Sequence, residues 1–252
     1  MARNLIIIGN WKMNPASLSE AKEISSTVRK TALKVKHVTV VIACPATFLS
    51  TLAAKKSRLF FAAQDVSANF SGAFTGETSA FMARSVGARF AIVGHSECRA
   101  RGDGDDVVRE KFARAVEAGL VPILCVGEKK RDQDGDYFSE ISREISAALK
   151  NPSSERIPKF IVAYEPVWAV GGAYDNALSP EEMRAMTIFI KKICAEFLPK
   201  EKAMKVPVLY GGSVDVENAK KMIADGGVDG LLVGRESLNS GHFDEIIKFA
   251  DA

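Results

Sequence analysis

The sequence predicts an α/β fold, a (β/α)8 barrel that spans residues 1–252 as a single domain. Three observations predict it. Eight short apolar runs rich in β-branched residues recur along the chain, and continuous rather than alternating apolar runs suit strands buried on both faces of a parallel sheet. Between them lie stretches with apolar residues at helical spacing. Polar residues and glycines stand directly after the runs, where barrels of this kind carry their sites. No segment rich in Pro, Ser or Gly divides the chain, so one large domain is the economical arrangement.

Leu5 to Gly9 forms the first run, far too short for a signal peptide or a membrane helix. Asn10-Trp11-Lys12-Met13-Asn14 follows it in place of Gly-x-Gly-x-x-Gly. The dinucleotide fingerprint is missing, which counts against the main rival fold, an open doubly wound sheet. Ser17 to Leu33 places Leu18, Ala21, Ile24, Val28 and Ala32 on one helical face. His37 to Ala43, Leu59 to Ala63 and Phe90 to Gly94 are the next strands. Asp105 to Ala118 is a helix with Val108, Phe112, Ala115 and Val116 inward, and it leads to the fifth strand, Val121 to Val126. Phe160 to Tyr164 is the sixth. Ser179 is a suitable N-cap and Pro180 a suitable first residue for a helix that runs to about Phe197. Val206 to Tyr210 is the seventh strand, Asp215 to Ala224 a shorter helix that stops at Gly226-Gly227, and Gly230 to Val233 the eighth strand.

A hydrophobic fraction of 47% with 26% charged residues describes a soluble globular protein. The net charge of +3 is spread along the chain with no basic tract, so neither nucleic acid nor membrane is an expected partner. Cys44, Cys98, Cys125 and Cys194 lie far apart without a Cys-x-x-Cys pair, and there are three His. No metal-ligand spacing appears, and no metal or other cofactor is expected. Free thiols suit a reducing, cytoplasmic location. Cys44 and Cys125 end apolar runs, as buried inert thiols do.

The rim carries the chemistry. Strand one ends in Asn10 and Lys12, strand three in Gln64-Asp65, strand four in His95-Ser96-Glu97, strand five in Gly127-Glu128 and strand six in Glu165. Gly211-Gly212-Ser213 follows strand seven and Gly234-Arg235 strand eight, the usual phosphate position of such barrels. Glu165 ends an apolar run, is followed by Pro166, and precedes a loop with Gly171-Gly172, so it is a candidate general base under a mobile loop. A base, an imidazole (His95), a cation (Lys12) and a phosphate cradle fit proton abstraction beside a carbonyl in a small phosphorylated substrate. Taken singly, each has a structural alternative: His95 as a satisfied core histidine, Lys12 as a surface charge, Glu97 as a local partner of Arg99, and Gly211-Gly212-Ser213 as a tight turn. Their joint placement favours the site. A barrel that binds ligand without catalysis, and an enzyme for a larger sugar phosphate, are the alternatives.

Several motifs together resemble the triosephosphate isomerase family over nearly the whole chain: Gly9-Asn10-Trp11-Lys12-Met13-Asn14, Gly94-His95-Ser96-Glu97, Cys125-Val126-Gly127-Glu128, Ala163-Tyr164-Glu165-Pro166-Val167-Trp168-Ala169 and Leu209-Tyr210-Gly211-Gly212-Ser213-Val214. The resemblance implies a TIM barrel that interconverts dihydroxyacetone phosphate and D-glyceraldehyde 3-phosphate through an enediolate, in glycolysis and gluconeogenesis. That family is itself the reference example of a Glu base with a neutral His electrophile, so these roles for Glu165 and His95 come with the resemblance. It further implies that Lys12 stabilises negative charge, that Asn10 positions Lys12 and the substrate oxygens, and that Glu97 tunes the site. The backbone N–H groups of Gly171, Ser213, Gly234 and Arg235 would bind phosphate. Pro166 to about Ala177 resembles the family's lid. Gly72-Ala73-Phe74-Thr75-Gly76-Glu77 matches the loop inserted into a second subunit, which with Phe70 and Phe74 implies a homodimer.

Three departures from the family pattern stand out. The lid from Gly171 to Leu178 is about two residues longer than is common. Cys98-Arg99-Ala100-Arg101-Gly102-Asp103-Gly104 replaces two Arg and a Phe-Gly-Glu turn, so an ion pair is lost at both ends. Arg235 replaces a Gly and would be strained if that position needed positive φ.

Overall fold

The computed structural model describes residues 4–54, 57–132, 134–150, 159–169 and 178–252. Eight parallel strands close into a barrel in sequence order: β1 (Leu5–Asn10), β2 (Val38–Cys44), β3 (Leu59–Ala63), β4 (Phe90–Val93), β5 (Val121–Val126), β6 (Ile161–Tyr164), β7 (Val208–Tyr210) and β8 (Gly230–Val233). Closure is made by β1 against β8, with Ile6 opposite Gly230 and Gly9 opposite Val233. The helices are α1 (Leu18–Ala32), α2 (Ala46–Ala53), α3 (Ala80–Ser85), α4 (Ser96–Ala100), α5 (Asp105–Glu117), α6 (Tyr137–Leu149), α7 (Pro180–Cys194), α8 (Lys200–Ala203), α9 (Val216–Asp225) and α10 (Ser240–Asp251).

Strand periodicity divides the apolar residues into two cores. Ile8, Val41, Ala43, Ala62, Ile92, Ile123, Cys125, Ile161, Ala163, Leu209 and Leu232 fill the barrel interior. Their sequence neighbours, such as Ile7, Val40, Ile42, Val162 and Tyr164, pack outward against the helices. Both faces of each strand are thus buried, which is why the runs are continuously apolar. The barrel is a packed core, and its chemistry is confined to the rim.

Helix signals behave as the sequence suggests. Ser179 caps α7, and its hydroxyl accepts from Glu182 N while the Glu182 carboxylate accepts from Ser179 N, a reciprocal capping box. Asp215 and Asn218 do the same for α9. His95 is the residue before α4, and its ring caps that helix. A catalytic candidate is thereby fixed by the start of a helix. Among the described residues, no helix is long and apolar enough to cross a membrane.

Candidate active site

The strand ends converge as the rim pattern predicts. Asn10, Lys12, His95, Glu165, Gly211, Gly212, Ser213, Gly234 and Arg235 line one cleft of about 220 Å³. Gly171 and the lid tip lie outside the described residues.

Glu165 is 2% exposed and His95 6%. The Glu165 carboxylate lies 3.5 Å from His95 Nε2. It accepts from Ser96 N at 3.4 Å and from the Cys125 thiol at 3.3 Å. His95 Nδ1 accepts the backbone N–H of Glu97 at 3.2 Å. A ring nitrogen that accepts carries no proton, so the imidazole proton sits on Nε2 and the ring is neutral. The donor therefore faces the cleft. The thiol is held inert: burial, then the Glu165 charge, push Cys125 well above the usual range, and burial takes Cys44 to about 12.

Two glycines let neighbouring loops approach Glu165. A Cβ on Gly127 would lie 1.9 Å from Glu165 O, and one on Gly211 would lie 2.7 Å from Glu165 Cγ. A partly buried ion pair holds Gly127 in turn. Arg99 Nε donates to Gly94 O at 3.0 Å and lies 3.4 Å from Glu144, whose other oxygen accepts from Gly127 N at 3.0 Å. Burial raises the Glu144 carboxyl despite the charge of Arg99. This bridge ties the end of β4, beside His95, to the end of β5, beneath Glu165.

Lys12 has a left-handed backbone, φ 52°, the one such non-glycine among the described residues. That conformation costs a side-chain-bearing residue about 1–2 kcal/mol, and such strain clusters at functional sites. Its ammonium lies 2.6 Å from Glu97. Glu97 therefore pairs with Lys12 and not with Arg99, as befits residues two apart on a helix, which do not face each other. Burial would raise the Glu97 carboxyl, but the hydrogen bond and charge of Lys12 outweigh it and hold the group below its usual 4.5. A carboxyl depressed by folding stabilises above its unfolded value and loses that contribution as pH falls through the folded one. Melting temperatures measured below pH 4.5 should accordingly fall less steeply in Glu97→Gln than in the wild type.

Arg235 has no positive φ; it opens a 3-10 turn, Arg235–Leu238. The strain conceivable there is absent. The segment after Glu97 also makes its own ion pairs. Lys111 Nζ lies 2.7 Å from both Asp65 and Asp103, and these carboxylates with Cys98 form the acidic group that sequence spacing did not show. The ammonium supplies the positive charge between them. Asp103, in the segment that departs from the expected pattern, is thus held in an ion pair with Lys111.

Glu128 was visible in the sequence as a rim residue but without a role. It is fully buried and accepts from Tyr164 OH at 2.9 and 3.0 Å and from Trp168 Nε1 at 2.9 Å. Its carbonyl accepts from Val167 N at 3.0 Å. The turn Val167–Ala169, where the expected lid begins, is anchored through Trp168 on this carboxylate. Burial and the Glu128 charge push the Tyr164 phenol up, so it remains a donor. In Glu128→Ala, Tyr164 and Trp168 both lose their acceptor; urea denaturation should show a loss of about 1–3 kcal/mol per orphaned donor.

The model of the triosephosphate isomerase family matches residues 5–250. The chain belongs to that family. Triosephosphate isomerases of Salmonella paratyphi B, Salmonella newport and Salmonella agona are each 38% identical to it over 254 aligned positions, covering 99% of this chain and 98% of theirs. As a triosephosphate isomerase family member it is an isomerase, and the closed barrel is the fold expected of it.

Proposed function

We propose that the protein interconverts dihydroxyacetone phosphate and D-glyceraldehyde 3-phosphate without a cofactor, with residues 1–252 as one catalytic domain. The observation that carries this is the meeting of the Glu165 carboxylate and the His95 Nε2 donor, 3.5 Å apart, in a small cleft that Lys12 also lines. Glu165 takes a proton from C1 of the ketose, and the C–H electron pair forms the C1–C2 double bond of an enediolate. The carbonyl oxygen becomes an oxyanion that accepts from His95 Nε2–H and lies in the field of Lys12. Glu165 then returns the proton to C2 while the hydroxyl proton is redistributed between O1 and O2. Asn10 fixes the Lys12 backbone, its Oδ1 accepting from Lys12 N at 3.1 Å. Glu97 tunes the ammonium.

The phosphate is held by backbone N–H groups of Gly171, Ser213, Gly234 and Arg235. Ser213 N and Oγ both donate to Ala169 O, at 3.1 and 2.7 Å. For this N–H to turn to phosphate the Ala169 carbonyl must move away, so phosphate binding and lid closure are coupled. Closure keeps water from an enediolate that would otherwise expel phosphate. A coupled assay with glyceraldehyde 3-phosphate tests this function; absence of turnover above the buffer rate would leave a ligand-binding barrel.

The protein acts as a homodimer, in the cytoplasm, and serves glycolysis and gluconeogenesis. Met13 is 93% exposed beside a groove of about 700 Å³ that runs past Gln64, Glu97 and Arg101, and the loop with Phe70 and Phe74, 58% and 43% exposed, is the complementary projection. Sedimentation velocity should give twice the chain mass, and Met13→Arg should shift the protein to monomer with reduced activity. A wild type that sediments as a monomer at micromolar concentration would refute the dimer.

A further inference from the structure

The left-handed backbone of Lys12 is held from both sides. Its N–H donates to Asn10 Oδ1, and its carbonyl accepts from Gln64 Nε2 at 2.8 Å. The same Nε2 reaches Ala43 O at 3.0 Å and Asn10 Oδ1 at 3.3 Å. Chemistry fixes the orientation of this amide. Two of the facing atoms are backbone carbonyls, and the third already accepts from Lys12, so only the NH2 end of Gln64 can meet them. Ala43 O also accepts from Trp11 N at 3.0 Å. Gln64, placed directly after β3, thereby fastens the ends of β2 and β3 to the loop that follows β1.

We propose that Gln64 is a positioning residue of the isomerase: it clamps Lys12 in the conformation that carries its ammonium across the cleft. The inference rests on the proposed function, with the Lys12 ammonium as the cation that meets the negative charge of the substrate, its phosphate included. The Lys12 side chain reaches from Glu97 towards the loop after β8, where a Cβ on Gly234 would lie 4.0 Å from Lys12 Cε. With an ordinary backbone at Lys12 the side chain would leave the loop in another direction. Gln64 is absent from the lining of the cleft itself; it acts through Lys12.

The test is a double-mutant cycle read as affinity for inorganic phosphate, by calorimetry, on the wild type, Gln64→Met, Lys12→Met and the double variant. Gln64→Met keeps length and volume and removes the donors. It should weaken phosphate binding about tenfold beside Lys12 and less than about twofold in the Lys12→Met background, since residues acting as a unit are not additive. The same loss in both backgrounds would overturn the proposal and mark Gln64 as a general support. Gln64→Glu gives a second readout. An ionised carboxylate faces three acceptor oxygens, whereas the protonated form has one O–H to donate to them, so affinity relative to wild type at the same pH should rise as pH falls. A ratio that does not move with pH, in a variant with native near-UV dichroism, would overturn it as well. Wild-type turnover, measured in parallel, separates the outcomes: no turnover with an intact cycle strikes at the isomerase assignment, and turnover without coupling strikes at Gln64.

Discussion

Glu165→Ala is expected to fold, to bind inorganic phosphate as the wild type does, and to lose isomerase turnover by roughly 10²–10⁴-fold or more. Among the described residues, no other group in the cleft can take its place. His95 Nδ1 is committed to the N–H of Glu97, and the Cys125 thiol is held protonated by burial and by Glu165 itself. Glu97 is turned to Lys12. The loss should fall on kcat, because the carboxylate acts on the reacting carbon and not on the phosphate. Steady-state kinetics of the coupled assay check this. A variant with kcat within tenfold of wild type, at unchanged KM, would remove Glu165 from the proposed role.

Gly127→Ala is expected to be the most damaging single methyl group in the site. Its Cβ would lie 1.9 Å from the carbonyl oxygen and 2.5 Å from the carbonyl carbon of Glu165, backbone atoms that no rotamer change can move aside. Either β5 or β6 must shift at its end. Both are parts of the closed barrel, with Val126 opposite Tyr164, and overpacking of this kind typically costs about 1–3 kcal/mol, occasionally more. Displacement of the base by about 1 Å is worth about 10²-fold in rate. We therefore expect lower melting temperature together with at least about hundredfold lower kcat, from a residue without a functional group. Full activity in Gly127→Ala would show that the Glu165 main chain has freedom the packing denies it.

The strands were legible because each is buried on both faces. Their ends were less so. β7 starts at Val208 and not at Val206, because Pro207 has no N–H for the ladder and the pairing of β6 with β7 begins at Val162 and Val208. β2 runs one residue further, to Cys44, which pairs with Ala63. Glu165, His95 and Lys12 could be singled out because the barrel topology sends every strand end to one rim. Partnerships across the rim could not. The pairing of Glu97 with Lys12 spans 85 positions, and the anchoring of Trp168 by Glu128 spans 40. Gln64 is more hidden still, since its part depends on the backbone conformation of a residue 52 positions away. Local sequence gives the groups, and closure of the barrel decides which of them meet.

The central claim is that one carboxylate moves a proton between adjacent carbons through an enediolate. It is tested most directly by running the wild-type reaction to a few per cent conversion in D2O and examining the product by NMR. A carboxylate that has taken a proton from carbon exchanges it with solvent, so product with deuterium on carbon is expected, and none beyond buffer background in Glu165→Ala. Fast turnover with no deuterium on carbon, together with an undiminished kcat in Glu165→Ala, would mean direct hydride migration and would contradict the account.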